Sequence, residues 1–305
     1  MTTLAAGIDF LDLNFLGRSG IIATAVLQSS RGVALVDPGP TTTLEGLTTQ
    51  LIAMGISLTD IRHVLLTHIH LDHAGCTGGL MEQCPEAVLL VHERGAPHMI
   101  DPSRLMASAA RLYGHDMERL WGEMKPVPAS RVQVLNGGEH VAVAGRTLEV
   151  AYTPGHASHH VSYFDRSSSI AFVGDTAGIR RGQGNYILPP TPPPDIDLDA
   201  WRHSADLILT WDPDTLFLTH FGPFQGARPH FQQLFARIQQ WSEVARTLLK
   251  KPELTDDERQ ERFVAEAVQD LRSSVGEIEA ERYTRAGAIE YSWQGLARYW
   301  RKRSD

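Results

Sequence analysis

The sequence predicts a mixed α/β fold. Short β-rich apolar runs alternate with helical spacing up to about residue 229, helices alone follow, and histidines and aspartates recur directly after the β-like runs. Segments 20–29 and 32–36 read as two strands joined through Ser-Ser-Arg-Gly, a hairpin signal. DPGPT at 37–41 breaks the chain, and Leu44, Leu47, Leu51 and Ile52 then recur at helical spacing up to Gly55. Apolar runs at 61–66 and 87–92 are the next strands, with a helix beginning at Ala74 between them. Residues 93–130 carry Met99, Met106, Met117 and Met124 without a β-rich run, so they read as an inserted helical segment. The β pattern resumes at 131–135, 139–143, 146–152, 160–165 and 169–174. The Gly/Pro-rich stretch from Gly178 to Pro194 is too long for a plain connector, and such loops are usually functional or disordered. A helix near 198–210 and a strand at 215–219 complete this part. Helices are expected over 230–250, 255–275 and 277–303; Thr255 and Glu258 have capping-box spacing, and Phe263, Ala267 and Leu271 share one face. The pattern divides the chain into a unit over 1–229 and a helical extension over 230–305.

Of the 305 residues, 42% are hydrophobic and 21% charged, which excludes disordered, low-complexity and coiled-coil classes. Two cysteines, Cys76 and Cys84, exclude a disulfide scaffold, and Cys76 reads as a small buried hydrophobe. The N-terminus lacks a basic start, and Asp9 and Asp12 interrupt any apolar run, unlike a secretory signal. With no run of 18 apolar residues, a membrane span is not expected, and a cytoplasmic location is. The net charge of −8, from 28 basic and 36 acidic residues, weighs against nucleic acid as a partner, because phosphate affinity rests on Lys and Arg. A small-molecule substrate is expected instead, and the apolar-faced terminal helices leave room for a homodimer.

The strongest signal is His68-Ile-His70-Leu-Asp72-His73, directly after the run 61–66. Histidines at i and i+2 beyond a strand aim two imidazoles at one point, and Asp and His at i+4 and i+5 can serve a second point nearby. Imidazole with carboxylate suits zinc, iron, manganese or cobalt better than magnesium or calcium. His156, Asp175 and His220 each open a loop after an apolar run, where functional groups collect. Together these residues read as a metal site. His63, His92 and His140 read as structural, and His98, His115, His203 and His230 as exposed positions on helices.

The chain resembles the metallo-β-lactamase-fold hydrolase superfamily over residues 7 to about 230. The likeness rests on Asp37 in VDPG, the stretch THIHLDHAGCTGG at 67–79, TPGH at 153–156, GD at 174–175 and TH at 219–220. It implies an αββα sandwich with metals at one edge of the two sheets. It further implies that His68, His70 and His156 hold one metal, that Asp72, His73 and His220 hold a second, and that Asp175 bridges them. Asp37 and His160 would act from behind the ligands, Asp37 by fixing a ligand's orientation. Two divalent ions per chain are expected, zinc first, with iron or manganese as alternatives.

Two such ions can lower the pKa of a shared water from 15.7 towards about 7, supplying a hydroxide nucleophile. Asp72 would shuttle the proton. The reaction class expected is hydrolysis of an ester, thioester or lactone carbonyl; the alternative is a phosphodiesterase or RNA endonuclease of the same fold. In related lactonases a tyrosine shortly after the bridging aspartate assists the oxyanion. Here Gly178 stands there, and the nearest candidate for contacting substrate is Tyr186 in the proline-rich loop. The insert at 93–130 is expected to serve as a substrate lid.

Overall fold

The computed structural model describes residues 2–181, 186–284 and 289–303. Seven strands form one sheet in sequential order: β1 (Thr2–Ala5), β2 (Ile8–Asp12), β3 (Ala23–Ser29), β4 (Gly32–Val36), β5 (Ile61–Leu65), β6 (Val88–His92) and β7 (Val132–Leu135). The second sheet runs from β8 (His140–Val143) and β9 (Arg146–Tyr152) through β10 (Val161–Asp165) and β11 (Ile170–Phe172) to β12 (Thr215–Leu218) and β13 (Gly222–Gln225). Pairing is parallel from β4 to β7 and between β11 and β12, and antiparallel elsewhere.

Alternation along the strands explains the layering. Ala34 and Val36 of β4 face the other sheet, while Val33 and Leu35 face the opposite way. In β12, Phe217 points between the sheets and Leu216 and Leu218 point out. Period two on a sheet buried on both faces demands a helical layer on each outer side. The first sheet is covered by α1 (Leu44–Ala53) and α3 (Thr77–Gln83), the second by α7 (Leu198–Thr210) and α8 (Ala227–Leu249). The result is the expected αββα sandwich.

The helix expected from Ala74 starts earlier, because the single turn α2 (Leu71–Ala74) forms straight after His70 and carries Asp72 and His73. Residues 93–130 contain α4 (Ala96–Ile100), α5 (Ser103–Tyr113) and α6 (Met117–Leu120) and no strand. This segment is not all lid. Met99, Trp121, Met124 and Val127 are buried in the core on the outer face of the first sheet, whereas α5 has no fully buried residue.

The point between residues 229 and 230 falls inside α8. Phe231, Leu234, Phe235 and Ile238 pack on the second sheet, while Trp241, Ala245 and Leu248 begin a helical cluster. That cluster contains α9 (Asp256–Val275), α10 (Glu277–Thr284) and α11 (Ile289–Arg301). Thr255 and Glu258 form the capping box that the spacing predicts, and Phe263, Ala267 and Leu271 are the buried face of α9. Of the helix expected over 277–303, the described parts are α10 and α11, and residues 285–288 lie outside the described residues. Among the described residues, no helix is long and apolar enough to cross a membrane.

Candidate metal centre

The site lies where β4, β5, β9, β11 and β12 end along one edge of the sandwich. Asp37 follows β4 at φ 51°, a left-handed conformation that aspartate tolerates better than most residues. Its buried carboxylate accepts four hydrogen bonds: from Thr67 N at 2.8 Å, Thr67 Oγ1 and Thr219 Oγ1 each at 2.7 Å, and His73 Nδ1 at 2.8 Å. One side chain thereby ties the ends of β4, β5 and β12 together and orients an imidazole.

Three groups of donor atoms converge: His68, His70 and His156; His68, His73 and Asp175; Asp72, His73 and His220. His68 Nε2 and His156 Nε2 both stand 2.9 Å from His70 Nδ1. Asp72 Oδ2 stands 3.2 Å from His220 Nε2. Asp175 faces both sides, with Oδ1 3.3 Å from His73 Nε2 and 3.6 Å from His220 Nε2, and Oδ2 3.5 Å from His156 Nε2.

The opposite ring nitrogens are engaged. Nδ1 of His156 meets Pro190 O at 2.8 Å, Nδ1 of His220 meets Ile21 O at 2.7 Å, and Nδ1 of His73 meets Asp37. A carbonyl or carboxylate there keeps the proton on Nδ1 and leaves the Nε2 lone pair turned inward. His73 Nε2 and Asp175 Oδ1 are buried, and neither has a hydrogen-bond partner of acceptable geometry. Unpaired buried groups of this kind are costly unless a cation joins them. Five imidazoles and two carboxylates around these orphaned atoms fit a divalent metal of the zinc, iron or manganese type.

Electrostatics points the same way. Burial pushes the pKa of His68 well down, with neighbouring imidazoles adding to it, and takes His70 to about 3. For His73 burial works against the charged ring, yet Asp175, Asp37 and Asp72 together hold its proton well above the usual range. Burial also opposes ionisation of Asp72, but His73 and the hydrogen bond to His220 overcome it and bring the carboxyl to about 2. The three carboxylates therefore favour positive charge at His73, a place that a metal cation would take.

All seven residues expected as ligands are thus brought together. His160 lies behind them, its ring stacked 5.0 Å from that of His68 and its Nδ1 2.9 Å from Thr153 Oγ1. Tyr186 requires a correction. It lies outside the site, buried among the C-terminal helices, where its hydroxyl donates to Asp270 at 2.9 Å and Arg237 covers its ring. His230 is also corrected: it is buried at the start of α8, with Nε2 2.7 Å from Ala177 O. Cys76 is fully buried, as expected. Thr67 and Thr219 were missed as the hydroxyls that hold Asp37. A signal existed, because a threonine directly precedes both His68 and His220.

His70, Asp72, His156, Asp175 and His220 open into a cavity of about 1010 Å³. Its walls come from the loop before β3 (Phe15, Ile21), the insert (Leu105, Leu112, Tyr113, Trp121), the proline-rich loop (Leu188 to Asp195) and α11 (Glu290, Tyr291, Ser292). Tyr113 and Tyr291 escaped the sequence reading, since a pocket wall carries no local pattern.

A family model described as the metallo-beta-lactamase superfamily matches residues 18–220. A metallo-beta-lactamase fold-containing protein of Sulfurisphaera tokodaii is 29% identical over 169 residues, covering 54% of this chain and 62% of the relative. A hydroxyacylglutathione hydrolase of Synechococcus is 30% identical over 179 residues, covering 58% of this chain and 56% of the relative. The chain spans less than two thirds of the length of either. A crystal structure of a metallo-beta-lactamase family protein from Thermus thermophilus has a TM-score of 0.73 at 22% identity, covering 99% of this chain and 95% of the other, a likeness of fold.

Proposed function

The chain belongs to the metallo-β-lactamase superfamily of metal-dependent hydrolases, and we propose that it hydrolyses a carbonyl ester, thioester or lactone with an apolar acyl part, using two divalent ions. The observation that carries this reading is the placement of seven donors, with Asp175 facing both groups, on the floor of a cavity large enough for an organic substrate and lined by apolar and polar side chains alike. The similarity to a hydroxyacylglutathione hydrolase, a thioesterase by name, adds support.

His68, His70 and His156 would hold one ion, Asp72, His73 and His220 the other, and Asp175 both. Bound there, the ions supply Lewis acidity, acidifying water and drawing charge from the substrate's carbonyl oxygen. The remaining work belongs to the chain. Ile69, Leu71, Leu105 and Leu112 line the cavity and would pack on the acyl group, and the water they displace would strengthen charge interactions at the floor. Asp72 has a side chain 26% exposed and a carboxyl held ionised by His73 and His220, so it can accept a proton from the attacking water. Delivered to the leaving group, that proton allows the acyl bond to break.

Elemental analysis of the purified protein, followed by a substrate panel on the same sample, tests the reading. The panel holds a thioester, an acyl lactone, a p-nitrophenyl ester, a β-lactam and bis-p-nitrophenyl phosphate. Two metals per chain with turnover of the carbonyl compounds, lost on chelation, is the expected result. Turnover of the phosphodiester alone would replace it with phosphodiesterase chemistry, and one iron without hydrolysis would refute it.

A further inference from the structure

Resting on the reading that the site hydrolyses a carbonyl compound, we propose that His159 is a substrate-binding residue. Its Nε2–H donates a hydrogen bond to the substrate's carbonyl oxygen, and to the product's carboxylate, beside the group of His68, His70 and His156. His159 lines the cavity above these ligands, yet among the described residues it belongs to none of the donor groups that could hold an ion. Its ring stands against two of the ligands. It lies nearly parallel to His68, with centroids 6.1 Å apart and 10° between the planes, and edge-on to His70 at 5.6 Å. From between those two ligands, Ile69 N donates to His159 Nδ1 at 3.4 Å.

That bond fixes the tautomer. A ring nitrogen that accepts from a backbone N–H carries no proton, so the proton of the imidazole is on Nε2, and no charge on the ring is needed. Nε2 has no hydrogen-bond partner among the described residues and is not one of the sealed, unpaired atoms. With the residue 9% exposed and part of the cavity wall, its N–H is open to a ligand there. The turn that carries His159 is held on both sides. His160 N bonds Ala157 O at 3.3 Å, Tyr152 Oη donates to Ser158 O at 2.9 Å, and Ser158 Oγ donates to Asp195. A donor fixed in advance needs little reorganisation when charge develops on its acceptor, so its bond strengthens towards the transition state. The carbonyl oxygen gains that charge as water adds to the carbon, and the product's carboxylate retains it.

Hexanoate, which carries the product's functional group, is titrated calorimetrically into the metal-loaded protein. Turnover of a hexanoyl thioester, metal content and circular dichroism are measured on the same samples. His159→Phe keeps a ring against His68 and His70 and removes both nitrogens, His159→Ala removes them without the bulk of a larger ring, and His159→Gln puts an amide donor in place of Nε2–H. All three should keep the full metal content. In His159→Phe and His159→Ala, affinity for hexanoate should fall about 10- to 100-fold, the loss of one hydrogen bond to a charged acceptor. Their kcat should fall about 100- to 1,000-fold, and His159→Gln should recover part of both losses. Metal lost from both His159→Phe and His159→Ala would make the residue a ligand and overturn the proposal. Unchanged hexanoate affinity in those two variants, His159→Gln no better than His159→Ala, or hexanoate that does not bind the wild type overturns it as well. Weakened hexanoate binding in a protein that turns over no carbonyl compound leaves the donor standing and removes the hydrolytic reading; carbonyl turnover with hexanoate affinity unchanged in the variants does the reverse.

Discussion

Asp37→Asn isolates what one buried charge contributes to the centre. Oδ2 of Asp37 accepts from Thr67 Oγ1, Thr219 Oγ1 and His73 Nδ1, and Oδ1 accepts from Thr67 N. Asparagine offers one oxygen. With that oxygen in the Oδ2 position, the amide NH2 faces Thr67 N–H, donor against donor, and the other three bonds lose their charge. A buried donor left unpaired costs about 1–3 kcal/mol, and a hydrogen bond to a charged group exceeds a neutral one by about 1 kcal/mol. The sum is about 4–6 kcal/mol, a large share of the roughly 5–15 kcal/mol that holds most proteins folded. Guanidinium denaturation of metal-stripped protein reads this without metal binding adding its own stabilisation. Because His73 keeps only a neutral acceptor for Nδ1, metal affinity should fall about 10- to 100-fold in a competition titration. A loss of stability below about 1 kcal/mol together with unchanged metal affinity would refute the assignment of Asp37 as the tie between the strand ends.

Three further outcomes are expected. Burial of His230 brings its pKa from 6.5 down to about 4, so the unfolded chain takes up the proton first; stability is full above about 6.5 and falls by roughly 3 kcal/mol as the pH drops towards 4. Denaturation at a series of pH values should show a flatter acid limb in His230→Leu, and an identical limb would mean that the ring does not titrate with unfolding. Asp175→Ala removes the carboxylate that faces both donor groups and should leave less metal per chain, by elemental analysis, than the wild type; an unchanged content would remove its bridging role. His160→Ala should retain the full metal content and lose stability, since its ring backs His68 and its Nδ1 meets Thr153; loss of a metal would make it a ligand instead.

The centre was legible because its ligands sit where local sequence reports local structure. His-x-His just beyond β5 brings two imidazoles to one strand end, and each later ligand likewise follows an apolar run that announces its strand. The αββα layering was likewise written in period two on strands such as β4 and β12. What escaped is set by contacts between segments far apart in the chain. His230 falls on a helix, where periodicity suggests an exposed position, but α8 turns that position under Arg180 and onto Ala177 O. Tyr186 stands in a loop that does reach the cavity through Pro190 and Thr191, yet its own ring turns back to Asp270 and Arg237, and nothing in the local residues distinguishes the two directions. The cavity wall is the extreme case. Tyr291 bonds Leu112 across 179 positions, so neither residue carries a signal of the other. Ligand spacing therefore reports the donor set, while the cavity wall depends on where the insert and the C-terminal helix meet.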